Sequence, residues 1–156
     1  MRRILILYLT TLSLASCERP TRIENVAINY IKYLNNEIEH NGNYNIFITE
    51  IKNKDKTIYR LSASNNNIER DNLPFKYFKY KEKYIFIFNS SKYTTIALEN
   101  ELEKEGLFEE HHLFFILDNY PEWILITCDN GKYTLIKNSW YKPIEEINEI
   151  NNFQCN

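Results

Sequence analysis

The side chains best equipped for chemistry in this chain are few: Cys17, Cys128 and Cys155, and His40, His111 and His112. Glu109-Glu110-His111-His112 puts four metal-ligating types in a row. Neighbouring side chains of a strand point to opposite faces, so one site draws only on Glu109 with His111, or on Glu110 with His112. Two ligands do not make a zinc site, and His40 lies far away in sequence. No metal and no cofactor is therefore expected, and the segment reads as a polar lead-in to a strand. Cys128 abuts Asp129, whose charge raises a thiol pKa where nucleophilic catalysis needs it lowered. Gly42, Gly106 and Gly131 all fall at stops or turns, leaving no phosphate loop or dinucleotide fingerprint. No serine occupies a Gly-x-Ser-x-Gly elbow. No catalytic residue is assigned. Carboxylates are plentiful, so the enzymatic alternative is an envelope hydrolase that uses paired carboxylates on a glycan or peptide.

Two further groupings suit binding and stability. Lys76-Tyr77-Phe78-Lys79-Tyr80-Lys81-Glu82-Lys83-Tyr84 interleaves cations with aromatic rings. As a contact surface, Lys76, Tyr77, Lys79, Tyr80, Lys81 and Lys83 suit an anionic partner, headgroup or glycan; as an ordinary hairpin, the lysines guard a sheet edge. Glu99, Glu101, Glu103, Glu105, Glu109 and Glu110 form an acidic stretch, either a solvated helix face or a docking site for a basic protein. Cys128 and Cys155 are a candidate disulfide for an oxidising compartment. Such a loop is worth roughly 3 to 4 kcal/mol in the chain-entropy view. The other reading is two thiols, one in a strand and one on a tail.

That compartment is suggested by the N-terminus. Met1-Arg2-Arg3 is a positive n-region, and the apolar run from Ile4 that follows is too short for a bilayer, which takes about 20 residues. The run ends in Leu14-Ala15-Ser16-Cys17, an apolar residue, two small residues and a cysteine. This resembles the lipobox of bacterial lipoproteins. The resemblance implies a diacylglyceryl group on the Cys17 thiol, cleavage before Cys17, and acylation of the new amine by a fatty acid such as palmitate. Two or more chains give stable anchoring where one is marginal. The resemblance covers the signal segment alone and implies nothing about the fold behind it. The expected division is a signal peptide over residues 1–16, a short tether over 17–21 and one domain over 22–156.

Loss of Arg2 and Arg3 from 19 basic residues leaves 17 against 21 acidic ones, a formal charge of −4. That is not a nucleic-acid balance. A hydrophobic content of 44% with 15% aromatics supports a packed core without metals. Heavy use of Asn, Ile, Lys and Tyr is what an AT-rich genome produces, so no single Asn or Tyr is singled out on abundance.

Thr21-Arg22-Ile23-Glu24 has capping-box spacing, and Ile23, Val26, Ala27, Tyr30, Ile31, Leu34 and Ile38 recur at helical intervals. They predict an amphipathic helix over 22–40, stopped at Asn41-Gly42. Only Glu18, Arg19 and Pro20 separate it from Cys17, which holds the domain within about 10 to 15 Å of the headgroups. Period-two runs predict strands at 45–51 and 57–63 around the turn Asn53-Lys54-Asp55-Lys56, then 75–80 and 84–89. Leu98 and Leu102 mark a helix over 95–105 ended by Gly106. Strands follow at 113–117, 123–128 and 132–138, the last two around the hairpin turn Asp129-Asn130-Gly131. Pro143 opens a short C-terminal helix. The fold class is α+β: an antiparallel sheet of about seven strands, with an N-terminal helix, a mid-chain helix and a short C-terminal helix on one face. The functional expectation is a small, membrane-anchored lipoprotein of the bacterial cell envelope. It would be a non-enzymatic binding, inhibitory (immunity-type) or accessory module whose partners are the membrane, through the Cys17 lipid, and a protein at its surface, with no nucleic acid. Glu18 follows Cys17, a position read differently in different bacterial groups, so inner and outer membrane both fit.

Overall fold

The computed structural model describes residues 21–37, 43–108, 120–139 and 143–155. Helix α1 spans Arg22–Glu37. Its first turn is closed reciprocally: the Thr21 N–H donates to Glu24 Oε2 at 2.7 Å, and the Glu24 N–H donates to Thr21 Oγ1 at 3.4 Å. Strands β1 (Asn45–Asn53), β2 (Lys56–Ser64), β3 (Lys76–Tyr80) and β4 (Lys83–Phe88) come next. Then come helix α2 (Ile96–Lys104), strands β5 (Glu122–Cys128) and β6 (Tyr133–Ser139), a 3₁₀ turn at Ile144–Glu146 and helix α3 (Asn148–Asn152). Thr95 caps α2 by accepting from the Leu98 N–H. The expected helical residues 38–40 and the expected strand 113–117 lie outside the described residues.

The sheet is built from three hairpins. β1–β2 forms the centre, β3–β4 is added beside β1 and β5–β6 beside β2, giving the order β3-β4-β1-β2-β5-β6. Six strands are described, the seventh expected one at 113–117 lying outside the described residues; the expected antiparallel sheet is corrected to a mixed one, because β1 and β4 are parallel, with Ile46 opposite Ile85 and Ile48 opposite Ile87. The cause is the connection over residues 65–75. It leaves the end of β2, passes over the sheet and starts β3 at the other end, so β3 runs with β2 and β4 runs with β1. Parallel neighbours need such a crossover rather than a tight turn.

Helices cover both faces rather than one. Strand alternation sends Ile46, Ile48, Leu61, Ala63, Ile85, Ile87 and Trp123 toward Ala27, Tyr30, Ile31 and Leu34 of α1. The opposite face carries two separate clusters. Leu102 of α2 packs with Ile68, Phe86 and Leu107, and Ile147 and Ile150 at the C-terminal helix pack with Ile58, Ile124 and Ile126. The Tyr30 hydroxyl donates to the Pro121 carbonyl at 2.8 Å beneath α1; burial raises its pKa far beyond the usual phenol range.

The sheet curls round α1, so both flanks reach its first turn. Lys76 of β3 pairs with Glu24 at 2.8 Å, while Arg22 donates to the Gly131 carbonyl and covers the Tyr133 ring. Gly131 holds φ +86°, the left-handed position that the Asp129–Gly131 turn requires.

Candidate functional site

Central strands covered on both faces are ordinarily apolar throughout. On the face opposite α1, β1 and β2 are not. Thr49, Arg60, Ser62 and Ser64 line up there, and Glu122 of β5 joins them; register places Thr49 opposite Arg60 and Leu61 opposite Trp123. This polar stripe divides the α2 cluster from the α3 cluster. Along the α2 side it opens into a cleft of about 520 Å³ lined by Phe47, Thr49, Ser62, Ser64, Asn66, Asn67, Ile68, Glu69, Asn72, Leu73, Phe88, Asn89 and Ser90. Phe47 and Phe88 stack at 5.9 Å between centroids and form its apolar ground. Asn45 Nδ2 donates to the Asn66 carbonyl, and the Asn66 N–H donates to Ser64 Oγ, which fixes the turn at one end. Asn89 is held at the other end by donating to Glu50. Strand-borne hydroxyls of Thr49, Ser62 and Ser64 and loop-borne amides of Asn66, Asn67, Asn72 and Asn89 around an aromatic floor suit a neutral polar ligand such as a glycan or an extended peptide.

Beside the cleft, Arg60 Nε meets Glu122 Oε2 at 2.8 Å, with side chains only 13% and 11% exposed. Burial raises the Glu122 pKa, and the Arg60 charge and hydrogen bond only partly oppose it. Among the described residues lining the cleft, Glu69 is the one carboxylate.

A second, shallower groove of about 300 Å³ runs between α1 and β6, past Asn29, Lys32, Tyr33, Trp123 and Lys137. The buried Trp123 Nε1 has no hydrogen-bond partner among the described residues, while Lys137 sits over its ring at 4.8 Å.

The six residues of the lysine–aromatic hairpin do not share a surface. Lys76, Tyr80 and Lys83 fall on the α1 side, Tyr77 and Lys79 on the α2 side, and Lys81 in the turn at φ 54°. Their charges are largely used internally. Lys76 pairs with Glu24 and holds that carboxyl below its ordinary pKa. Lys79 donates to the Tyr84 hydroxyl and lies over its ring, and Tyr84 donates to Glu105. Lys83 covers Tyr44 at 4.0 Å, and Lys81 approaches Tyr80. Burial, with a hydrogen bond to Glu101, pushes Tyr77 up to about 12. The acidic stretch is likewise tied down along α2, Glu103 pairing with Arg70 at 2.9 Å. Glu109, Glu110, His111, His112, His40 and Cys17 lie outside the described residues. Among those described, no three His, Cys, Asp or Glu side chains group as a metal site.

Cys128 and Cys155 are joined by a disulfide with Cα atoms 5.5 Å apart. It fastens the C-terminal segment to the β5–β6 turn, where Asn130 Nδ2 donates to the Cys155 carbonyl and Lys132 Nζ to that of Gln154.

Comparison with family models, curated proteins and solved structures returned no match. The site therefore stands on its geometry. The cleft residues were not singled out from the sequence. The signal that marks them is the run Arg60-Leu61-Ser62-Ala63-Ser64, in which one face of a central strand is apolar and the other is polar.

Proposed function

We propose that this chain is a small lipoprotein anchored through Cys17 in a bacterial envelope membrane. Its domain is a binding module of the inhibitory or accessory kind, and the cleft on the face opposite α1 is its contact site. The observation that carries the reading is Leu14-Ala15-Ser16-Cys17 behind a charged, apolar leader, with only three residues before the capping Thr21. The Cys128–Cys155 disulfide supports it, because such bonds persist in oxidising compartments. The cleft supports the binding half: hydroxyls on strands and amides on the adjoining loops recognise a partner by hydrogen bonds without needing reactive groups. No described helix is long and apolar enough to cross a membrane, so in this reading the lipid supplies the attachment.

Two expected results test the two halves. Cys17→Ser leaves an uncleaved precursor that takes up no labelled fatty acid; continued labelling would remove the anchor. Thr49→Phe fills the cleft at an exposed strand position. It abolishes retention of the envelope component that the wild-type chain holds after detergent solubilisation, whereas Lys81→Glu in the β3–β4 turn leaves retention intact. The reverse pattern moves the contact site to the hairpin.

A further inference from the structure

Three large apolar or aromatic side chains stand out in solvent among the described residues: Tyr93 at 91% exposure, Ile96 at 79% and Tyr133 at 55%. All three lie at one end of the domain, the end from which the chain continues back toward Cys17. We infer that the domain stands end-on against the bilayer that holds the Cys17 lipid, pressing this end to anionic headgroups. The inference rests on the anchoring reading above and adds an orientation to it.

Strand directions define the end. β1 and β4 run toward it and β3 starts from it. The Lys54-Asp55 turn and the Asp129–Gly131 turn close there, the 89–95 loop leaves β4 there and α1 begins there. Contacts join these pieces into one surface. Arg22 binds the Gly131 carbonyl, Glu24 holds Lys76, Lys92 covers Phe75, Thr94 donates to the Pro74 carbonyl and Cys155 reaches the Asp55 carbonyl.

The chemistry of that surface matches a membrane interface. Exposed Arg22, Lys52, Lys54 and Lys132 outnumber exposed Asp55 and Asp129, while Lys92 is paired with Glu50 at 2.7 Å. Tyrosines beside long cationic side chains favour the headgroup level, where rings and methylene stems sit in apolar matter and charges stay wet. Each cation held near an anionic leaflet strengthens binding about fivefold. At the opposite end are the Lys81-Glu82 turn and the end of α2, where Glu103 and Glu105 stand among Arg70, Lys79, Lys81 and Lys104, a surface of mixed charge without a comparable cationic excess. The tether allows no other end to reach the bilayer as readily, since three residues between Cys17 and Thr21 extend at most about 15 Å.

The test uses the full chain, expressed with its leader and checked by mass for lipid on Cys17. It is reconstituted in phosphatidylglycerol-containing vesicles whose acyl chains are brominated near the headgroup. Tyr93→Trp and Glu82→Trp place an added fluorophore at the two ends over the same tryptophan background. The expected result is several-fold stronger bromine quenching of the added emission in Tyr93→Trp. That difference shrinks when Lys52→Glu and Lys54→Glu are added. Equal quenching at both ends on a lipidated chain overturns the orientation and leaves the anchor standing. Absence of lipid on Cys17 overturns the anchor and the orientation together.

Discussion

Replacing Cys128 and Cys155 together by alanine lowers the unfolding free energy by about 3 to 4 kcal/mol, and adding reductant to the variant changes nothing further. The bond spans a sequence separation of 27 residues, long enough for a substantial reduction in the disorder of the unfolded chain. Total stabilities of domains this size are about 5 to 15 kcal/mol, so the loss is a large fraction of the whole. The C-terminal segment keeps other attachments: Ile147 and Ile150 in the cluster with Ile58, Ile124 and Ile126, and Lys56 Nζ on the Ile150 carbonyl at 3.2 Å. The variant therefore folds, with a lower denaturation midpoint. Urea titrations of both proteins, with and without dithiothreitol, measure the difference. An unchanged midpoint would show that the apolar contacts alone hold the segment.

The second large effect is on the ion pair beside the cleft. Arg60→Met removes the cation whose attraction opposes the burial of Glu122. Breaking a buried pair from one side costs about 3 to 5 kcal/mol because the remaining charge is stranded. The loss depends on pH, and its sign follows from the carboxyl. The folded-state pKa of Glu122 already lies above its ordinary value, so ionising it opposes folding, and its contribution is lost as pH rises through that raised pKa. Without Arg60 the folded pKa climbs further. The deficit of Arg60→Met is accordingly smallest at pH below the Glu122 pKa, where the carboxyl is protonated in both proteins, and grows as pH rises through it. Denaturant midpoints of wild type and variant at several pH values read this out; a deficit independent of pH would exclude the stranded carboxylate as its cause. Glu24 titrates in the opposite sense. Lys76 lowers its pKa, so its contribution is present above the unfolded carboxyl pKa and lost as pH falls through the folded value.

Much of the local structure was legible because it depends on neighbours in sequence. Thr21 and Glu24 announce the start of α1, Gly131 the β5–β6 turn, and Leu98 with Leu102 the buried side of α2. What required the third dimension was pairing between distant segments. The parallel contact of β1 with β4 depends on the path taken by residues 65–75, and no periodicity encodes a path. The lysine–aromatic run looked continuous on paper, yet alternation along β3 and β4 sends its members to opposite faces. Cys128 and Cys155 are a candidate pair by residue type, but their approach depends on α3 folding back over β5. The cleft is invisible in the sequence for a related reason. Ser62 and Ser64 are unremarkable until β2 is found inside the sheet, where a polar face calls for an occupant or a function.

The arrangement of three hairpins also bears on how the chain reaches its fold. Each ribbon closes over a short turn and forms in roughly microseconds. Joining them is slower, because Leu61 meets Trp123 and Ile46 meets Ile85 only after long loops have closed. β1–β2, the first ribbon in the chain and the centre of the sheet, offers the two edges against which both others pair. A chain emerging N-terminus first leaves the outer edge of β2 unpaired until residues 122–128 have followed. During that interval the edge is a site for pairing with other chains, and the arrival of the β5–β6 ribbon closes it.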